Sequence, residues 1–141
     1  MNLDTIDKFK KYFDSLPLSE VSQLEEFYAA DIQFKDPVRS VKGMEGIKVY
    51  YEMFNANLVQ GGYKFTQQSI LHDKAYLSWE LELEFKTPAK RTSVSGITVL
   101  LVGDKIISHR NYYDAGALYY ENLPLVGPVI RLIKKQICRY C

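Results

Sequence analysis

The chain has 141 residues, the length of one ordinary domain, and two independent cores would not fit in it. Eighteen Lys and Arg against seventeen Asp and Glu leave a net charge of +1, too little basic field for a nucleic-acid protein. Hydrophobic residues make up 47% and charged residues 25%, a globular rather than a disordered composition.

In chain order, Asp4 or Thr5 can cap a first helix whose apolar residues Ile6, Phe9, Phe13 and Leu16 share one face. Pro17 ends it. Ser19 can cap a second short helix carrying Val21, Leu24, Phe27 and Tyr28. The period then changes. Ile32, Phe34 and Asp36 alternate with Gln33 and Lys35 and run into Pro37, which predicts a short strand and a turn. Gly43 precedes a third helix over Met44 to Asn57, with Ile47, Tyr50, Tyr51 and Phe54 as its buried stripe.

Gly61-Gly62 reads as a loop, followed by four strands. Tyr63 to Leu71 alternates moderately. Ala75 to Phe85 alternates cleanly, with Leu77, Trp79, Leu81, Leu83 and Phe85 on one face and Ser78, Glu80, Glu82 and Glu84 on the other. Arg91 to Val102 is apolar on both faces from Ile97 onward, so both faces are expected to be covered. Gly103-Asp104 predicts a tight hairpin turn into a last strand, Lys105 to Tyr113. Leu118 to Leu123 suits a short helix. Pro128 suits the first turn of a closing helix with Ile130, Ile133 and Ile137 opposite Arg131, Lys134 and Lys135. That helix can pack on the sheet or a subunit partner, or lie on a membrane surface. Helices grouped before a run of antiparallel strands predict an α+β domain spanning residues 1–141, with 124–141 as a C-terminal extension.

The apolar stretch from Ile97 to Val102, interrupted by Thr98, is too short to cross a bilayer, so no integral membrane segment is expected. No secretory signal is visible at the N-terminus, which makes cytoplasm the expected location. Cys138 and Cys141 form a C-x-x-C at the chain's end, beside Arg139 and Tyr140. A terminus lacks the helix N-terminal field that activates redox pairs, and no second pair completes a zinc site, so a frayed tail is the expectation. With two histidines on distant segments, no metal site is expected. No phosphate loop, H-E-x-x-H or G-x-S-x-G is present.

Three groups can carry chemistry. Asp36 closes an apolar strand. It is either a carboxylate held at the mouth of the core, where desolvation makes a better base, or the cap of a turn. Tyr12 lies three residues beyond Phe9 on the first helix. It either offers its hydroxyl to a substrate oxygen or sits at the boundary with its hydroxyl in water. His109, Asn111 and Tyr113 alternate on the last strand and share a face, with Asp114 at its end. The eleven tyrosines outnumber the seven phenylalanines, as suits a pocket apolar in body and polar at a few points, or a tyrosine-rich surface.

From about Thr5 to Asp114 the chain resembles the NTF2-like superfamily, the cone-shaped fold of ketosteroid isomerase, the SnoaL-like polyketide cyclases and nuclear transport factor 2. The most specific piece is Phe27-Tyr28-Ala29-Ala30-Asp31-Ile32-Gln33-Phe34-Lys35-Asp36-Pro37-Val38, similar to the isomerase segment that carries the catalytic base. The resemblance implies a cystatin-like cone, a curved antiparallel sheet wrapped around N-terminal helices with an added C-terminal helix. It assigns Asp36 as base, with Tyr12, twenty-four residues earlier, as the phenol of the oxyanion hole. Tyr51 takes the place of a supporting tyrosine and Trp79 that of a pocket aromatic. His109, Asn111 and Tyr113 fall on cavity-lining positions; Tyr28, Phe54, Leu100 and Asp114 complete the expected ligand pocket.

One position departs from the isomerase. Its second donor to the developing enolate is a protonated aspartate beside the catalytic phenol. Here Thr98, in Gly96-Ile97-Thr98-Val99, takes that place as a neutral, weaker donor, and Tyr12 is expected to be helped at the oxyanion by Thr98 or by His109 on the neighbouring strand. The SnoaL-like cyclases use an acidic residue and a histidine, which Asp114 and His109 match loosely. The implied activity is that of an isomerase or cyclase, a cofactor-free proton transfer on a small apolar carbonyl compound. The alternative is non-catalytic binding of an apolar ligand or a protein partner. A homodimer through the sheet is implied as well.

Overall fold

The structure, a computed structural model, describes residues 2–114; the two C-terminal helices expected beyond Asp114 and the Cys138/Cys141 pair lie outside the described residues. Helix α1 (Leu3–Phe13) buries Ile6, Phe9 and Phe13, one stripe at helical spacing. Its cap is Asn2, two residues before Asp4 and three before Thr5, the expected caps: the Asn2 side chain accepts from the Asp4 N–H. Thr5 instead donates its hydroxyl to the Asp104 carbonyl at 2.8 Å, tying α1 to a distant hairpin.

The expected second helix is only a 3-10 turn, Val21–Glu26. Ser19, its expected cap, donates its hydroxyl to the Gln23 side chain instead of accepting from a backbone N–H. Six residues without a cap do not sustain an α-helix. Phe27 and Tyr28 therefore leave the helix, and strand β1 (Tyr28–Lys35) starts four residues before the expected Ile32. A short β2 (Ser40–Lys42) leads into α2 (Gly43–Ala56), which buries Ile47 and Tyr51. Gly43 opens that helix at φ +80°, where a side chain would be strained.

Four long strands follow: β3 (Leu58–Leu71), β4 (Lys74–Lys86), β5 (Ala89–Val102) and β6 (Ile106–Tyr113). Gly61 and Gly62 lie inside β3 rather than in a loop. A Cβ on Gly62 would sit 2.1 Å from the Asp14 carbonyl oxygen, and one on Gly61 2.3 Å from that of Glu82. The pair is the point where the chain leaving α1 crosses the sheet, and the Leu16 N–H donates to the Gly61 carbonyl there.

The strands form one curved six-stranded sheet in the order β2-β1-β6-β5-β4-β3. It is mixed rather than wholly antiparallel, because β1 and β6 pair in parallel; every other neighbouring pair is antiparallel. Leu77, Trp79, Leu81 and Leu83 of β4 point inward and are buried, as the alternation requires. On β5, Val94, Thr98, Leu100 and Val102 are the inward set. Of the outward apolar residues, Ile97 is 45% exposed while Val99 and Leu101 are half-buried.

The sheet wraps α1, and aromatic rings fill the space between. Phe9 touches Phe13 (4.8 Å between centroids), Phe27 (5.7 Å) and His109 (5.0 Å). Gly96 on β5 provides the floor for Trp79: a Cβ there would meet the indole ring at 2.4 Å. Trp79 is fully buried and has nowhere to retreat. Gly96→Ala is therefore expected to cost roughly 1–3 kcal/mol, the usual range for overpacking. The urea midpoint reads this directly, and an unchanged midpoint would contradict the close packing.

Candidate functional site

Asp36 stands one residue beyond β1, where the inward residues Ile32 and Phe34 bring the chain to the rim of the core. Asp36 is 5% exposed, and its two carboxylate oxygens serve different neighbours. Oδ1 accepts the backbone N–H groups of Val38 and Arg39, both at 2.8 Å. This is the turn-capping role. Oδ2 faces inward and accepts the hydroxyls of Tyr50 from α2 and Tyr113 from β6, both at 3.2 Å. The two readings of Asp36 thus coexist, one on each oxygen. Asp36, Tyr50, Tyr51, Phe54, Asn111 and Tyr113 line a hollow of about 10 Å³, with Phe34, Tyr63 and Leu81 completing its wall. That is space for about one water molecule.

Deeper in the cone runs a chain of buried polar side chains. Trp79 Nε1–H donates to Thr98 Oγ1 at 2.8 Å, and the Thr98 hydroxyl donates to Asn111 Oδ1 at 2.5 Å. His109 Nε2 lies 2.9 Å from the same Asn111 oxygen, and its Nδ1 lies 2.7 Å from the Tyr28 hydroxyl. Tyr28 in turn lies 3.3 Å from the Tyr51 hydroxyl. Asn111 Oδ1 can only accept, so His109 carries its proton on Nε2 and receives the Tyr28 hydroxyl on Nδ1. His109 is 3% exposed. Burial lowers its pKa to about 4 against the raising effects of the Asn111 hydrogen bond and the Asp36 charge, so it is neutral near pH 7. Burial pushes the Tyr28 and Tyr51 phenols well above their ordinary value.

This wiring revises several expected roles. Both ring nitrogens of His109 are engaged within the chain, so it offers no donor to a ligand. Thr98 gives its single proton to Asn111 and cannot replace the missing acid directly. Tyr12 does not join the group. The α1 stripe turns Phe9 and Phe13 into the cone and leaves Tyr12 on the flank, where its hydroxyl donates to the carbonyls of Ser19 (3.4 Å) and Glu20 (3.2 Å). It lines a separate surface groove with Lys8, Lys11 and Gln23. Partial burial pushes its phenol up to about 12. Trp79 and Leu100 are core residues, and Asp114 is exposed past the end of β6.

Tyr50 is the site residue that sequence reasoning placed only in a helix stripe. Its ring lies 5.0 Å from Phe34, stacks with Phe54 at 6.4 Å, and carries the Arg39 guanidinium at 4.9 Å. The signal was the 3.6-residue period, which puts Tyr50 on the stripe's edge toward Asp36. Among the described residues no group of three His, Cys, Asp or Glu could hold a metal, and no helix is long and apolar enough to cross a membrane.

A helix wrapped by a curved mixed sheet defines an NTF2-like fold. The chain belongs to the SnoaL-like domain family, whose model matches residues 9–109. Solved structures share the fold at low identity. A ketosteroid isomerase-like-fold protein from Catenulispora acidiphila DSM 44928, in complex with trimethylamine, is 17% identical with a TM-score of 0.72, covering 83% of this chain and 90% of that one. A candidate SnoaL-like polyketide cyclase from Jannaschia sp. CCS1 is 13% identical with a TM-score of 0.69, over 82% and 89% of the two chains. An NTF2-like protein of unknown function from Burkholderia pseudomallei K96243 is 7% identical with a TM-score of 0.70, over 81% and 92%. A search of curated proteins gave no match to this sequence.

Proposed function

We propose that the chain is a cofactor-free enzyme of the isomerase or cyclase type, in which Asp36 moves a proton on a small apolar carbonyl compound. One observation carries this reading: a buried carboxylate whose Oδ1 is fixed by two backbone N–H groups and whose Oδ2 faces an aromatic hollow. Oδ2 exchanges its phenol partners for a C–H next to the carbonyl. The C–H bond breaks and an O–H bond forms on Asp36. The electron pair moves onto the carbonyl oxygen as an enolate, and Asp36 returns the proton to the same carbon or to another position of the conjugated system. Atoms balance without a cofactor. Tyr50 and Phe54, both half-buried on α2, swing outward to admit the compound, because a hollow of about 10 Å³ does not hold it as it stands.

The test is the exchange of α-protons into D2O for a panel of cyclic ketones and 1,3-dicarbonyl compounds, followed by proton NMR. Acceleration of at least one member is expected. If the protein binds such compounds but accelerates none, the second reading replaces the first. That second reading is ligand binding without chemistry, and it is favoured by the engagement of Thr98, His109 and Tyr12 elsewhere.

A cytoplasmic homodimer through the outer sheet face is part of the proposal. Tyr76 pairs with Val99 and Ile97 with Tyr112 across neighbouring strands, giving an apolar strip beside Glu80 and Glu82. Sedimentation is expected to give twice the 16.3 kDa of one chain, and a monomer at all concentrations contradicts it.

A further inference from the structure

Asn111 sits on β6 between the inward residues His109 and Tyr113, and it is 6% exposed. Its amide is held in one sense. Trp79 donates to the Thr98 hydroxyl, so the Thr98 proton is directed at Asn111. The 2.5 Å separation suits O–H···O and is too short for N–H···O, which places the amide oxygen, not the nitrogen, toward Thr98. His109 Nε2–H reaches the same oxygen at 2.9 Å. With Oδ1 doubly engaged, Nδ2 points the other way.

Asn111 lines the hollow that Asp36 lines. Nδ2 makes no hydrogen bond among the described residues, yet no fully enclosed side-chain nitrogen or oxygen there lacks a partner. Nδ2 therefore reaches open space, and among the described residues the hollow is the space that Asn111 lines.

We propose that Asn111 Nδ2–H is the donor that receives the carbonyl oxygen of the compound whose α-carbon faces Asp36, with Thr98 and His109 as positioning residues that keep the amide from flipping. This rests on the function proposed above and deepens it, because it supplies the oxyanion donor that Tyr12 and Thr98 do not provide. It also names a specificity. A neutral donor beside the Asp36 carboxylate accepts an uncharged ketone, ester or lactone and disfavours a carboxylate ligand, whose charge would face Asp36.

The test is NMR on the full chain labelled with nitrogen-15, titrated with cyclohexanone. The Asn111 side-chain NH2 pair is identified by its loss in Asn111→Leu. Its protons are expected to move downfield on titration, while sodium cyclohexanecarboxylate binds at least tenfold more weakly. Thr98→Val, which removes the proton that orients the amide, is expected to shrink the Asn111 response several-fold, and Thr98→Ser to restore it. If the Val38 and Arg39 backbone amides, which report on Asp36, respond while the Asn111 side chain does not, the donor assignment is overturned and the Asp36 site stands. If Thr98→Val responds as the native chain does, the positioning role is overturned. If no residue of the hollow responds, the site reading falls and takes this inference with it.

Discussion

Asp36→Asn slows α-proton exchange on any carbonyl compound the native protein turns over by roughly 10²–10⁴-fold, the contribution of a positioned general base. The substitution keeps the shape. An asparagine oxygen accepts the Val38 and Arg39 N–H groups as Oδ1 does now, and its NH2 meets the Tyr50 and Tyr113 hydroxyls in place of Oδ2. Stability falls by only about 1 kcal/mol, the difference between charged and neutral hydrogen bonds. Exchange rates and urea midpoints measured on the same samples separate the two effects. Full exchange activity in Asp36→Asn removes Asp36 from the chemistry, and a collapsed midpoint with lost activity makes it a structural carboxylate.

Acid unfolding carries the second large effect. His109 has a pKa of about 4 in the folded chain, pushed down from 6.5 chiefly by burial. Above pH 6.5 both folded and unfolded chains hold it neutral, and it adds no pH dependence. As pH falls from 6.5 toward 4, the unfolded chain takes up a proton that the folded chain refuses, and stability drops. At about pH 4 the folded state begins to protonate and the loss levels off at roughly 3 kcal/mol, from 1.36 kcal/mol per pKa unit. His109→Gln removes this slope while carboxylate contributions remain. The native-minus-variant difference in unfolding free energy, followed from pH 7 to pH 4, is expected to shrink by that amount. Parallel curves would show that His109 is not held neutral by its surroundings.

The parts of the fold written in side-chain period were legible. Strand β4 declares its buried face through Leu77, Trp79, Leu81 and Leu83, and α1 through Ile6, Phe9 and Phe13. The parts set by distant backbone were not. Gly61-Gly62 looks like a loop until the chain leaving α1 is seen crossing above it, a contact between segments far apart in sequence. Phe27-Tyr28 continues a helical stripe on paper, but the missing cap ends the helix and the pairing of Tyr28 with Ile106 on β6 makes it strand.

The candidate site divides along the same line. Asp36 was legible because an acid at the end of an apolar strand is chemically conspicuous. Tyr12 and Phe13 are neighbours, and only the rotation of α1 decides which ring enters the cone. His109 was visible as a polar residue sharing a face with Asn111 and Tyr113, and Thr98 only through the resemblance, yet their roles depend on which atom gives its proton to which. That order is fixed by Trp79 and Asn111, residues on different strands.

The most direct measurement follows the Asp36 carboxyl carbon, labelled with carbon-13, while cyclohexanone is titrated into the native chain. Its resonance is expected to move as the Tyr50 and Tyr113 hydroxyls give way to the compound, in step with the Val38 and Arg39 amides. Binding detected elsewhere with the Asp36 signal unmoved would contradict a reactive carboxylate in the cone.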